Sequence, residues 1–267
     1  MLKETKPIIF SEAQITSAER DDAAAIYKLI LDAFGKCYLK FTIFQSDKSI
    51  EYIRDRIEIG NQEGSPEYYV IREGKTLRGF YSAVRRGNEF FLNYIATDPS
   101  RRLGGSGNSL LNHFESQASF IGYVRVGLDV FLSNTNAVAW YRRHNYKVER
   151  IRYFYRFDVD TLGNRNEGDL ELDEVDLGEA IAKEKNKGFS NFEARFHGEI
   201  VRIGLIDGIV CKIISATDLS ALAVASAAAR FFRRERKWLL LTQENPIPEK
   251  IAAESMESVL YMIKQLP

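Results

Sequence analysis

Three glycines fall within four positions in the run Asp98-Pro99-Ser100-Arg101-Arg102-Leu103-Gly104-Gly105-Ser106-Gly107-Asn108-Ser109-Leu110-Leu111. Glycine tolerates positive φ and lets a ligand approach the backbone closely. The run follows a segment rich in aromatic and branched residues (Glu89 to Thr97). It precedes one with Leu110, Leu111 and Phe114 at helical spacing, so it reads as a strand-to-helix turn. A helix start offers unpaired N–H groups and about half a positive charge. The combination is an anion site suited to a diphosphate. It lacks the Gly-Lys-Ser/Thr ending of a nucleoside-triphosphate loop, and no dinucleotide-binding fingerprint opens the chain. Alone, such a turn is weak support for a ligand site, because many are only tight turns.

Two other side chains could do acid–base work. Tyr141 sits in a short helical segment (Asn134 to Arg143), and Glu89 opens the strand that leads to the glycine run. Without further context Tyr141 is a packing aromatic and Glu89 a solvated charge at a strand start. His113 and His144 show no partner in the sequence.

A second run supplies that context. Arg102-x-x-Gly105-x-Gly107, after a strand and Asp-Pro, resembles the acyl-CoA signature of the GNAT superfamily of N-acyltransferases. Downstream, Leu128-Asp129-Val130-Phe131-Leu132-Ser133-Asn134-Thr135-Asn136-Ala137-Val138-Ala139-Trp140-Tyr141 resembles its second motif. There a Gly-Phe pair usually follows; here it is Asn145-Tyr146. Asn tolerates left-handed backbone and Tyr keeps the aromatic ring. Leu103 also stands where glycine is frequent.

The resemblance covers roughly residues 9–158 and implies acetyl-CoA as co-substrate. Backbone groups of Ile95, Ala96 and Thr97 would face the pantetheine arm, and the backbone from Arg102 through Leu103, Gly104, Gly105 and Ser106 to Gly107 would meet the diphosphate. Asn134 and Tyr141 would line the other side of the arm. Tyr141 aligns with the tyrosine that protonates the departing thiolate, and Glu89 has an offset like that of a general-base glutamate in some protein-acetylating members. A water relay is the rival for the base. The implied reaction is acetyl transfer to a primary amine, preferably of a small molecule. Rival readings are a non-catalytic acyl-CoA-binding module and a tandem-domain aminoacyl transferase.

Composition narrows the rest. Lys plus Arg (37) balances Asp plus Glu (37), so no global field favours nucleic acid or an anionic membrane. Two cysteines cannot build a disulfide framework, and with three histidines no metal site is expected. The start of the chain lacks a long apolar core, and no apolar run is long enough to span a bilayer, so a cytoplasmic protein is expected. A homodimer stays open.

The elements that must position these residues read β-α-α-β-β-β-α-β-α-β over residues 9–158. That predicts an α/β (α+β) fold: a mixed, mostly antiparallel sheet flanked by helices. Residues 159–190 are acidic and glycine-dotted, a linker or solvated segment. Residues 191–267 read as a smaller α+β unit. It comprises a hairpin turned at Asp207-Gly208, an Ala-rich helix (Leu219 to Arg234), a strand from Trp238, and a helix over Pro248 to Gln265. Its order repeats the second half of the first unit without the glycine loop, which reads either as a degenerate internal repeat or as an unrelated α+β appendage.

Overall fold

The computed structural model describes residues 14–34, 39, 41–60, 64–101, 105–162, 171, 174–215, 218–232, 236–244 and 255–267. The first part contains β1 (Gln14–Ser17), α1 (Ala23–Ala33), α2 (Ser49–Ile59), β2 (Glu67–Glu73), β3 (Thr76–Arg86), β4 (Glu89–Thr97), α3 (Ser106–Phe120), β5 (Arg125–Phe131), α4 (Thr135–Arg143) and β6 (Lys147–Asp158). Then come α5 (Val159–Leu162), α6 (Glu174–Lys187), β7 (Phe189–Phe196), β8 (Glu199–Ile206), β9 (Val210–Ser215), α7 (Asp218–Phe232), β10 (Trp238–Gln243) and β11 (Ser255–Gln265). The fold is mixed α/β, as expected.

Among the described residues eleven strands form one sheet, in the order β1-β2-β3-β4-β5-β11-β6-β10-β9-β8-β7. The pairing is antiparallel except at β4–β5 and β9–β10, each a parallel pair joined through a helix. The sheet therefore repeats itself about its centre. The series β2-β3-β4-α3-β5 is matched by β7-β8-β9-α7-β10, with β11 and β6 antiparallel between the two sets. Asp207 (φ 50°) and Gly208 (φ 70°) make the expected turn, here between β8 and β9; His197 and Gly198 make another between β7 and β8.

Beyond residue 158 the structure differs from the sequence reading: the expected linker contains α5 and α6, the expected hairpin is three strands, β7 to β9, and the last helix is a strand. Residues 255–265, expected as the end of a helix, are β11, seated between β5 and β6. Its partners run from Val259↔Phe131 to Gln265↔Arg125 on one side and from Ser255↔Arg156 to Ile263↔Lys147 on the other. An inner strand covered on both faces shows an unbroken apolar run, here Val259 to Ile263, with no alternation to mark it as β. The earlier part of that expected helix, 248–254, lies outside the described residues. In the acidic stretch, Val159, Leu162 and Ala180 are buried in the same cluster as α7.

Helices cover the sheet on both faces. Leu110, Leu111 and Phe114 of α3 and Val138 of α4 pack on Tyr81, Phe90, Leu92, Val126, Leu128, Leu260 and Met262. On the other face Ile26 and Ile30 of α1 and Ile53 of α2 pack on Tyr68, Val70, Phe80 and Ala96. Alternation along the strands explains this division. In the second half α7 packs on Tyr155, Phe157, Leu239 and Leu241, so these aromatics of β6 are core residues.

Candidate active site

The site begins with a defect in the sheet. Opposite β3, Ser82 pairs with Tyr94 but Ala83 with Leu92, so Asn93 is an extra residue and β4 is bulged there. A bulge bends its strand and disturbs the ladder. Pairing of β4 with β5 accordingly stops at Leu92↔Leu128, although β4 stays on β3 as far as Thr97↔Gly79. β5 instead continues to Phe131 along β11. Among the described residues no ladder joins 93–97 to β5, so a gap opens between the two parallel strands. Ile95, Ala96 and Thr97 line one side of it.

Beyond Thr97 the chain is fixed by Asp98. Its carboxylate accepts from Arg78 at 3.0 Å and from the Ser100 N–H and hydroxyl at 2.9 and 2.7 Å. Arg102, Leu103 and Gly104 lie outside the described residues. Gly105 is left-handed (φ 77°) directly before the first residue of α3, a geometry that favours glycine. Nothing lies within 4 Å of where its Cβ would be. Gly107 is different: a Cβ there would make only an ordinary 3.7 Å contact with Trp140, so the fold itself does not demand glycine. Space is thus kept at the amino end of a 15-residue helix.

α4 closes the second side. Asn134, exposed at its N-cap, accepts from the Ala137 N–H at 3.2 Å, which fixes the helix start. Trp140 donates through Nε1 to Asn108 Oδ1 at 2.8 Å, and His144 Nε2 lies 3.2 Å from the same oxygen. Those contacts tie α4 to the first turn of α3, and His144 has a structural partner. Tyr141, 6% exposed, packs on Trp140 and Tyr146 with ring centroids 4.8 and 5.6 Å away. Burial pushes its phenol above the ordinary value of 10.0, so it stays protonated near neutrality. Asn145 adopts φ 68°, the left-handed conformation expected of a residue replacing glycine. His113 also has a partner, the Tyr81 hydroxyl, 2.8 Å from Nδ1.

Glu89 lies elsewhere. It and Phe91 point to the face opposite Phe90, Leu92 and Tyr141, so the structure does not bring Glu89 and Tyr141 onto one side of the sheet. The buried Glu89 carboxylate accepts from the Tyr261 hydroxyl and from Arg125 Nε at 3.2 Å. A Cβ at Gly127 would come within 2.5 Å of it, which explains a glycine in the middle of β5. Around this carboxylate is a cavity of about 270 Å³, lined by Arg86, Arg125, Arg150, Arg152 and Tyr261 among others. Sequence reasoning missed all of these. Gly127 inside a strand was a local signal, but the arginines come from β3, β5 and β6, and only the sheet assembles them.

Among the described residues no group of three His, Cys, Asp or Glu could hold a metal ion, and no helix is long and apolar enough to cross a membrane.

The chain's likenesses agree with this geometry. Residues 24–146 match the model of the acetyltransferase (GNAT) family. The fold is similar to that of a tandem GNAT protein from the clavulanic acid biosynthesis pathway, with a TM-score of 0.64, 11% identity, and 95% of this chain and 98% of that one covered. It is also similar to a GCN5-related N-acetyltransferase from Kribbella flavida (TM-score 0.58, 11% identity, coverage 97% and 72%). A probable N-acyltransferase of unknown function from Enterococcus faecalis gives 0.53, 12%, 96% and 73%. No curated protein matches the sequence significantly. A sheet split between β4 and β5, a glycine-led helix behind the split and a family match across both motifs identify residues 24–146 as a member of the GNAT family of acetyltransferases.

Proposed function

We propose that this chain transfers an acetyl group from acetyl-CoA to the primary amine of a small molecule. The observation that carries the reading is the opening of the sheet at Leu92↔Leu128, directly beside a left-handed glycine and the start of α3. Backbone groups of Ile95 to Thr97 would hold the pantetheine arm, the N–H groups from Arg102 to Gly107 the diphosphate, and Asn134 the opposite wall. The glycine at position 107, which packing does not require, supports a ligand in that space. Acetyl-CoA supplies an activated acyl carbon and a thiolate leaving group.

The chain's own residues then manage protons. Transfer forms a C–N bond and breaks the C–S bond, so the amine must lose a proton and the sulfur must gain one. Tyr141, kept protonated by burial, donates the proton to the sulfur. Glu89, in the water-accessible cavity on the other face, receives the amine's proton through water.

The test is acetyl-CoA binding by calorimetry, then release of free thiol with a panel of amines. Tyr141→Phe removes only the hydroxyl. The expected result is unchanged acetyl-CoA affinity and a kcat lower by roughly 10²–10⁴, the range for lost general acid catalysis. Wild-type turnover in that variant would assign the acid elsewhere. An unchanged acidic limb of the pH–rate profile in Glu89→Gln would leave water alone as the base.

A further inference from the structure

Four guanidinium groups converge on the cavity beside Glu89. Three have carboxylates from the chain itself. Arg125 meets Glu89 at 3.2 Å and Glu149 at 2.6 Å, Arg150 meets Glu244 at 2.9 Å, and Arg152 meets Asp129. Arg86 meets none among the described residues. It lies over the Phe91 ring, 3.6 Å from the centroid, which fixes the plane of its fork. Arg152 Nε is a buried donor without a hydrogen-bond partner, whereas Arg86 is exposed at the mouth of the cavity. Partial desolvation pushes the Arg86 guanidinium down from its ordinary value, so an anion beside it would be stabilising.

Placement gives this free fork a direction. Arg86 pairs across the β3–β4 ladder with Glu89, and paired residues of a sheet project from the same face about 5 Å apart. Phe91 comes two residues later, one position before the last β4–β5 pair at Leu92↔Leu128. The cavity therefore sets an unpaired guanidinium beside a carboxylate, and Phe91 in its lining stands one residue before the last paired position of β4 and β5. Its volume of about 270 Å³ is below the roughly 300–1,000 Å³ of sites for drug-sized ligands. A guanidinium fork is matched by a carboxylate through two parallel hydrogen bonds.

We propose that the acceptor is a small amino carboxylate of the α-amino acid type, its carboxylate held by Arg86 with Arg152 and its amine turned past Glu89 toward the β4–β5 gap. This rests on the acetyl-transfer reading above. The test uses the full chain saturated with acetyl-CoA and reads thiol release on matched amines: α-amino acids, their primary amides, and the corresponding decarboxylated amines. The carboxylate-bearing member of each set is expected to have a kcat/KM at least tenfold higher. Arg86→Gln should shrink that ratio at least fivefold, with thermal melting as the check that the variant is folded. Equal use of amides, decarboxylated amines or peptide amino termini would overturn the inference while leaving acetyl transfer standing. A ratio that Arg86→Gln does not move overturns it as well. Acetyl-CoA binding without turnover of any amine would instead remove the acetyl-transfer reading, and this one with it.

Discussion

At the scale of single residues, two glycines in one loop have different causes. Gly105 is required by its backbone, at φ 77°. Gly107 has ordinary backbone and room for a Cβ, so packing does not require glycine there and the proposed diphosphate site would. Gly107→Glu should therefore fold normally yet lower acetyl-CoA affinity at least tenfold, over ~1.4 kcal/mol. Calorimetry on a variant with wild-type melting decides this, and unchanged affinity would move the diphosphate site elsewhere. His113 makes a separate case. Burial lowers its pKa from the ordinary 6.5, so the fold favours the neutral ring beside Tyr81. As pH falls below 6.5 the unfolded chain takes up this proton before the folded one, and stability is lost on acidification. His113→Gln should melt with a smaller drop between neutral and mildly acidic pH than wild type; an equal drop would trace the pH dependence to other groups.

At the scale of elements, β11 decides the most. Val259, Leu260 and Met262 are buried in it, contributing on the order of 1.5–3 kcal/mol each by area removed from water. Their sum is comparable to the whole stability of a typical domain, about 5–15 kcal/mol. The strand also holds β5 and β6 apart at their proper spacing and supplies Tyr261 to Glu89. A chain ending at residue 254 should lose soluble, cooperative folding and not merely its acceptor preference. Soluble yield and a thermal melt check this; a truncated protein that melts like the full chain would show β11 to be dispensable.

At the scale of the whole molecule, the repeat is visible in the strand order and in its defects. The second half also has a parallel pair of only three registered positions, Val210↔Trp238 to Lys212↔Leu240, and a bulge at Ile214 opposite Arg202 and Ile203. Past the bulge the two halves differ in length. In the first half the chain runs from Asn93 to Ser106 before its helix starts; in the second, only from Ile214 to Asp218. That length leaves no room for the strand end and glycine loop that would meet a diphosphate. One acetyl-CoA per chain is the expected stoichiometry, and two in a calorimetric titration would show that the second half retains a site.

The sequence by itself determined whatever is local. The glycine turn between strand and helix, the tolerance for Asn145 and the Asp207-Gly208 turn all come from backbone preference or short-range periodicity, which a few neighbouring residues set. It also carried the repeat, because element order is a one-dimensional property. Only the tertiary structure decided which strands become neighbours. β11 reads as a helix because an inner strand buried on both faces has no alternation to reveal its period, and its partners lie 99 residues or more away. The arginine-lined cavity was hidden for the same reason. Arg86, Arg125, Arg150 and Tyr261 share one face only after β3, β5, β6 and β11 are laid side by side. Gly127, a glycine inside a strand, is then the residue that leaves space for Glu89.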